Sequence, residues 1–429
     1  MKKYKLYKDS GVDWIGKIPK HWKISKLKFN SRIKTGYTPP MAEPDNYAKE
    51  GIIWVKPNML DEFNPIIDSD IKISDKGKKE NNILPKGSVL LCCIGTIGKF
   101  GIAGTDLITN QQINGILFLN NINSEYGKYF MSSSEDELNS IANGNVVKIL
   151  NTEKLGNIKI PIPTIEEQTQ IGGYLDKKIS QIGKLITQKK QIVQFLKEER
   201  KAIINHSVTK GINSSASMKD SDVQWLGKIP EHWDVRRTKY LFDIRKNIAG
   251  KLGYDVLSVT QKGIKIKDIT SGDGQLSMDY SKYQLVKKEQ FVMNHMDLLT
   301  GFVDKSQYEG VTSPDYRVFE SISSESKSDY YLYLYQMFYN EKLFFPYGRG
   351  SAQAGRWRLP AIEFRDFRLP VPPVDEQEQI VAYIKTKHNE IDKTLSVLKK
   401  EIKYLNEYKT TLISEVVTGK IDVREEVLI

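Results

Sequence analysis

The chain has 429 residues, 39% hydrophobic and 27% charged, a length for roughly two to four domains and a composition that excludes a disordered polymer. Its net charge of +11 and pI near 9.1 favour an acidic partner, with nucleic acid the first candidate. No apolar stretch follows the lysines of "MKKYKLYKDS", the longest apolar run is Val89 to Ile94, and the two cysteines, Cys92 and Cys93, are adjacent. The expectation is a reduced, cytoplasmic protein without leader, membrane span, disulfide or CxxC metal site.

In chain order, the first feature is "DSGVDWIGKIPKHW" (Asp9 to Trp22), written again as "DSDVQWLGKIPEHW" (Asp220 to Trp233) with ten of fourteen positions identical. "IPIPTIEEQTQI" from Ile160 matches "LPVPPVDEQEQI" from Leu369, and "VTKGI" at Val208 pairs with "VTGKI" at Val417. The chain is two tandem copies of one unit. The organisation reads as a repeat segment 1–22, variable region 23–159, spacer helix 160–212, second repeat segment 213–233, variable region 234–368, and a helix with its tail at 369–429. The two variable regions do not align convincingly. A shared frame around different contents implies parallel jobs on different targets. His21 and His232, between Pro and Trp of the phrase, read as structural hydrogen-bonding residues.

Region 1 offers strand-like runs "GIIWVKP", "GSVLLCCIG", "GIAG" and "INGILFL", punctuated by Gly, Pro and Asn. Its "GTIGKFGIAG" lacks the Walker pattern and a following helix, so it reads as a tight turn between strands whose Lys99 reaches a phosphate. It also carries an amide cluster, "TNQQINGI". Thr164 and Glu167 then form a capping box that opens a long helix. Leu175, Ile182, Leu196 and Ile203 keep a seven-residue step, broken by Lys189, with Ile179, Ile186 and Val193 alongside.

Region 2 offers "YDVLSVTQKGIKIKDI", "EQFVMNHMDLL" and a helix-like "SDYYLYLYQMFYNEKLFF" whose aromatic face reads as core. Nine of the twelve arginines lie here, against one in region 1. Three of them sit on the glycine-rich "YGRGSAQAGRWRLP". In the final helix Ile384, Ile391, Leu398, Leu405 and Leu412 keep the step unbroken, with Leu395, Ile402 and Val416 alongside. The fold class expected is α+β: two variable domains in tandem, separated by two long helices. The matched seams predict an antiparallel intramolecular coiled coil on the order of 65 Å long, with pseudo-twofold, circular organisation. Two separate helical hairpins, or a coil between chains, are the alternatives.

Catalytic patterns are weak. Pro314, Asp315, Glu325 and Lys327 imitate a PD…ExK nuclease core, but "SISSES" replaces the stiff hydrophobic strand that core requires. No histidine has a metal-ligand spacing, so no metal site is expected, and no "NPPF"- or "DPPY"-type tetrapeptide marks an amino-methyltransferase.

Over nearly its whole length the sequence resembles the specificity (S) subunit of type I restriction–modification systems. The residues that carry this are "WIGKIPKHW" and "WLGKIPEHW", "IPIPTIEEQ" and "LPVPPVDEQ", and "VTGKIDVR". Within the variable regions it is carried by "KTGYTPP", "IIWVKP", "IGTIGKFGI" and "TNQQINGI", then "NHMDLLTGFVDKSQYEGVTSPDYRVF" and "RGSAQAGRWRLPAIEFRDFRLPVPP". Ile162, Thr164 and Lys189 are small departures. The resemblance implies a non-catalytic DNA-recognition subunit whose two domains each read half of a bipartite double-stranded DNA site. It implies helices that set the spacer and dock two modification (methyltransferase) subunits using S-adenosylmethionine, with restriction/translocase subunits using ATP and Mg²⁺. No cofactor is expected on this chain. A self-sufficient methyltransferase or nuclease, and a coiled-coil scaffold without DNA, are the competing functions.

Groove readout by loops places lysines on phosphates and Arg, Asn and Gln on base edges. The candidates are Lys34, Tyr37, Thr38, Lys56, Asn58, Lys99, Asn110, Gln111 and Gln112 in region 1. In region 2 they are Lys246, His295, Tyr316, Arg317, Arg349, Arg356 and Arg358. The arginine bias predicts a G·C-containing half-site for region 2.

Overall fold

The computed structural model describes residues 2–79, 82–144, 146–269, 277, 279–351 and 356–426; the side chains of Ser351 and Arg356 are outside this set. The chain forms two compact units, residues 1–190 with 400–429, and residues 191–399. No helix among the described residues is long and apolar enough to cross a membrane.

Each unit is built on two antiparallel ribbons, one formed around the repeated phrase and one where the two ends of the variable region meet. In unit 1, Tyr7–Asp9 pairs with Lys17–Pro19, and Lys23–Lys26 pairs with Lys159–Ile162. In unit 2, Met218–Asp220 pairs with Lys228–Pro230, and Asp234–Arg237 with Arg368–Val371. The second ribbon joins the two ends of the variable region. Inside it, the unalignable sequences hide a common core. Unit 1 orders its main sheet as Ser31–Thr35, Ile113–Phe118, Val89–Cys92, Phe100–Ala103, with Pro65–Ile66 added in parallel at the edge. Unit 2 orders its sheet as Phe242–Arg245, Arg317–Ser321, Phe291–Met293, Val303–Lys305. Taken in sequence, both are first, fourth, second, third, and both are followed by a helix, Ser124–Ser133 or Ser328–Asn340. The aromatic face of the latter is core: fully buried, Tyr331 packs on Phe242, Tyr335 on Phe242, Phe291 and Phe319, and Phe338 on Phe344 and Phe367. Unit 1 adds a second sheet, Leu107–Thr109, Ile52–Val55, Lys72–Ile73 and Tyr47–Ala48.

The repeated phrase and the repeated Glu-Gln meet at a joint. Glu167 completes the capping box, accepting from the Thr164 amide while its own amide donates to Thr164 Oγ1, both at 3.3 Å. The same carboxylate lies 2.9 Å from His21 Nε2. In unit 2, Glu376 binds His232 Nε2 at 2.7 Å and Trp233 Nε1 at 2.9 Å. The adjacent glutamines are fully buried and act as brackets. Gln168 donates to the carbonyls of Pro163 and Asn121 and accepts from the Asn123 amide. Gln377 donates to the carbonyls of Pro372 and Glu325 and accepts from the Lys327 amide. Asn123 and Lys327 are the N-caps of the two domain helices.

The long helices span Ile165–Lys210 and Val374–Val417. Leu175, Ile182, Ile384, Ile391, Leu398 and Leu412 are buried, and Leu196, Ile203 and Leu405 half-buried, as the seven-residue step predicts. The helices run antiparallel within each unit. In unit 1, Gln170 Nε2 donates to the Val423 and Glu426 carbonyls, while Lys189 Nζ reaches Glu401 at 2.8 Å. In unit 2, Arg200 bonds Asp392 at 2.8 Å, and Val208 packs in one core with Ile380 and Ile384. The lysine that breaks the first seam is thus paired across to the other helix.

Both helices end on a left-handed glycine, Gly211 (φ +78°) and Gly419 (φ +74°). A Cβ on Gly419 would stand 2.3 Å from Pro19 and 3.0 Å from Trp22, and one on Gly211 would stand 3.3 Å from Trp233. Each phrase therefore seats its Pro and Trp against the end of one long helix and its His against the start of the other. Replacing Gln377 by Leu keeps the volume but strands a buried amide and two carbonyls. Urea unfolding should show a loss of about 2–4 kcal/mol; an unchanged midpoint would show that the bracket contributes nothing.

Candidate nucleic-acid interface

Unit 1 gathers its sequence candidates at the far end of the strand Ser31–Thr35. Gly36 lets the chain pass close to its neighbour, since a Cβ there would sit 2.0 Å from the Asn110 carbonyl. The Tyr37 amide then bonds the Thr109 carbonyl at 2.7 Å, the Tyr37 carbonyl accepts from Trp54 Nε1 at 3.1 Å, and Thr38 Oγ1 donates to Gln111 Oε1. The Asn110 amide bonds the Val55 carbonyl at 3.0 Å. Asn110 itself is buried and braces Gln112 through both side-chain ends. Its side chain is thus engaged inside the loop, whereas the sequence offered it as a base contact. Gln111 and Asn58 remain exposed.

Cations surround this loop. Lys34 Nζ rests on the Ile83 carbonyl, Lys99 Nζ on the Pro57 carbonyl, and Lys56 over the Trp54 ring at 4.6 Å. The sequence reading missed Lys79, whose ammonium lies 3.8 Å from the Tyr37 ring centroid. The lysine- and asparagine-rich run "KGKKENN" around it was the available signal. Among the described residues none of these four lysines has a carboxylate within ion-pair distance. In "GTIGKFGIAG" the first half, Gly95–Lys99, is a turn between the antiparallel strands Val89–Cys92 and Phe100–Ala103, as expected, and the second half is the latter strand.

In unit 2 the focus is a cleft of about 410 Å³ lined by Ser258, Tyr283, Asn294, Asp315, Tyr316 and Arg358 among others. Arg358 is exposed, and its position is fixed from below. The Leu359 amide donates to the His295 carbonyl at 2.9 Å, and Arg317 Nη2 donates to the Leu359 carbonyl at 2.9 Å. Arg317 is only 4% exposed, its guanidinium lies 4.7 Å from the Phe364 ring centroid, and burial lowers its pKa to about 10. Arg317, a base-reading candidate in the sequence, is thus turned inward onto the carbonyl of the residue after Arg358. Arg349 is exposed but bound to Glu363 at 2.9 Å. Lys246 is exposed just beyond the strand Phe242–Arg245. The Arg356 backbone pairs with Ser351 in a short ribbon, and its side chain lies outside the described residues.

Two of the nuclease-like residues are engaged elsewhere. Glu325 holds Arg236, and Lys327 binds Glu378 at 2.6 Å. No cluster of three metal-ligating side chains occurs among the described residues.

Residues 19–194 and 230–404 each match the family described as the type I restriction modification DNA specificity domain. The chain therefore belongs to the type I restriction–modification specificity subunits and carries two DNA specificity domains. It is similar to the type I restriction enzyme MjaVIII specificity subunit of Methanocaldococcus jannaschii, 24% identical over 95% of each chain. The EcoKI specificity subunit of Escherichia coli K12 is 19% identical over 89% of this chain and 86% of its own. The fold is shared with a chain from a structure of the type I R-M system (TM-score 0.68, 12% identity, 94% of this chain and 99% of that one). It is shared also with the HsdS subunit from Thermoanaerobacter tengcongensis (TM-score 0.54, 13% identity, 94% and 98%).

His295 supplies a pH test of the unit 2 site. Burial, with Arg317 and Arg358 close by, lowers its pKa from 6.5 to about 3. The unfolded chain binds this proton first, so unit 2 loses stability as pH falls from about 6.5 towards 3. Denaturation midpoints measured across this window should decline less in His295→Asn, and parallel curves for the two proteins would count against the assignment.

Proposed function

We propose that each unit reads one half of a bipartite DNA site, with residues 23–159 and 234–368 as the two recognition domains. The observation that carries this reading is the pairing of a common frame and common strand order with unlike loops. A unit that keeps its mounting and changes its surface chemistry does one job on two different words. The long helices, paired as an antiparallel coiled coil, fix the unspecified spacer between the halves and dock two modification subunits. These bring S-adenosylmethionine; restriction subunits, where present, bring ATP and Mg²⁺. This chain supplies the address in the cytoplasm and none of the bond-making.

In unit 1, Lys34, Lys56, Lys79 and Lys99 meet phosphates, while Gln111, Gln112, Thr38 and Asn58 face base edges. Amide side chains suit adenine. In unit 2, Arg358 is the arginine best placed for guanine O6 and N7, with Tyr316 and Asp315 beside it in the cleft. Tyr37 and Asn110 hold the first loop in shape, as His295 and Arg317 hold the second.

The two kinds of contact separate experimentally. Arg358→Ala in the reconstituted complex should cost about 1–3 kcal/mol at one base pair and relax preference there. Lys56→Ala should weaken binding to all sequences alike and reduce the salt slope by about one. Sequencing of methylated adenines reads the recognised word directly. An unchanged word in Arg358→Ala would reject its base contact, and methylation or cleavage by the chain alone would reject the non-catalytic reading.

A further inference from the structure

The frame carries a surface that neither the fold nor base reading uses. Residues 21–30 and 232–241 have the same sequence of exposed, half-buried and buried positions, residue for residue, although most of the amino acids differ. Phe29 is 66% exposed and Tyr240, its counterpart, 61%. Each has the preceding lysine over its ring, Lys28 and Lys239, both at 5.5 Å. Packing does not require an aromatic ring at a position this exposed, yet it occurs twice at the same place.

Beside each aromatic lies a second oddity. In the ribbon register Lys26 stands directly opposite Lys159, and Arg237 directly opposite Arg368. Like charges at facing positions destabilise a strand pair. In unit 1, Lys159 Nζ is held by the Gly11 carbonyl, and neither Lys26 nor Lys28 has a carboxylate partner among the described residues. In unit 2, Asp366 alone serves both Arg237 (3.4 Å) and Lys239 (3.0 Å), so the cations still outnumber it. All these cations are exposed.

We propose that this twice-written patch docks an acidic protein surface, one copy of the same partner subunit per unit. The excess cations call for a negatively charged counterpart, and the exposed ring supplies the apolar anchor that protein interfaces favour. Its position argues against DNA as occupant. Phe29 precedes the strand Ser31–Thr35 and the unit 1 reading loop follows it, which separates them by about 17 Å of extended chain. Tyr240 and Lys246 flank Phe242–Arg245 in the same way. Repetition at the ribbon that closes each recognition domain, away from its reading loops, fits a partner that is identical at both places. The inference rests on the proposal that two modification subunits bind, and it names where each one touches.

The test uses the full chain and purified modification subunit. Native mass spectrometry counts bound copies, and fluorescence titration gives their affinities, for wild type, Phe29→Asp, Tyr240→Asp and the double variant. Each residue is exposed, and thermal unfolding confirms that the variants fold. Either single variant should retain one copy and bind the second at least ten-fold more weakly; the double variant should lose both. Two copies at wild-type affinity in every variant would overturn the proposal. So would intact stoichiometry with weaker retention of DNA of any sequence, which would assign the patch to the phosphate backbone. If the wild-type chain itself captures no modification subunit, the functional reading fails first, and that failure is visible before any variant is compared.

Discussion

A buried amide side chain must satisfy all its hydrogen-bonding groups or destabilise the fold, and this constraint organises the molecule. Gln168 and Gln377 meet it by bonding only to backbone groups: a proline carbonyl at the helix entrance, and a carbonyl and an amide from the variable region. Because the variable region contributes main chain and not side chains, the bracket makes no demand on its sequence. The neighbouring glutamates make the opposite kind of contact. They bind the His of the phrase, and in unit 2 its Trp as well, so the phrase is tied to its letters while the recognition region is left free to vary.

Other joints repeat this logic with local variation. Tyr126 OH donates to both the Pro161 and Val417 carbonyls. In unit 2 the same two duties are split, Tyr330 bonding the Val208 carbonyl and Tyr331 the Pro370 carbonyl. Val208 and Val417 are equivalent positions, as are Pro161 and Pro370. The geometry of the joint is thus maintained while the side chain that serves it changes. Lys189 shows a comparable tolerance: a charge in an apolar seam is accommodated because Glu401 on the opposing helix meets it.

The frame was legible in the sequence because its constraints are local. The capping box, the seven-residue step and the duplicated phrase all act over a few residues. The common strand order of the variable regions was not legible. Four short strands specify only apolar character at alternate positions, and many sequences satisfy that. Burial was the other blind spot. Arg317 and Asn110 have the chemistry of base-reading side chains, but whether such a group faces a groove or a backbone carbonyl is decided by tertiary packing. Lys79 was overlooked for the reverse reason: it sits in an ordinary solvated run and acquires meaning only through Tyr37, more than forty positions earlier.

Unit 1 is completed by residues from both ends of the chain: the Asp422 amide bonds the Lys2 carbonyl, and Leu412, Val416 and Val417 belong to its core. Unit 2 is a single uninterrupted stretch, 191–399. During synthesis the second unit therefore has its full set of contacts before the first, despite being made later. The first unit must wait, with the seat of Trp22 vacant and apolar surface exposed, until residues 400–426 emerge. A chain that stops before residue 400 would therefore lack contacts in the unit that was translated first.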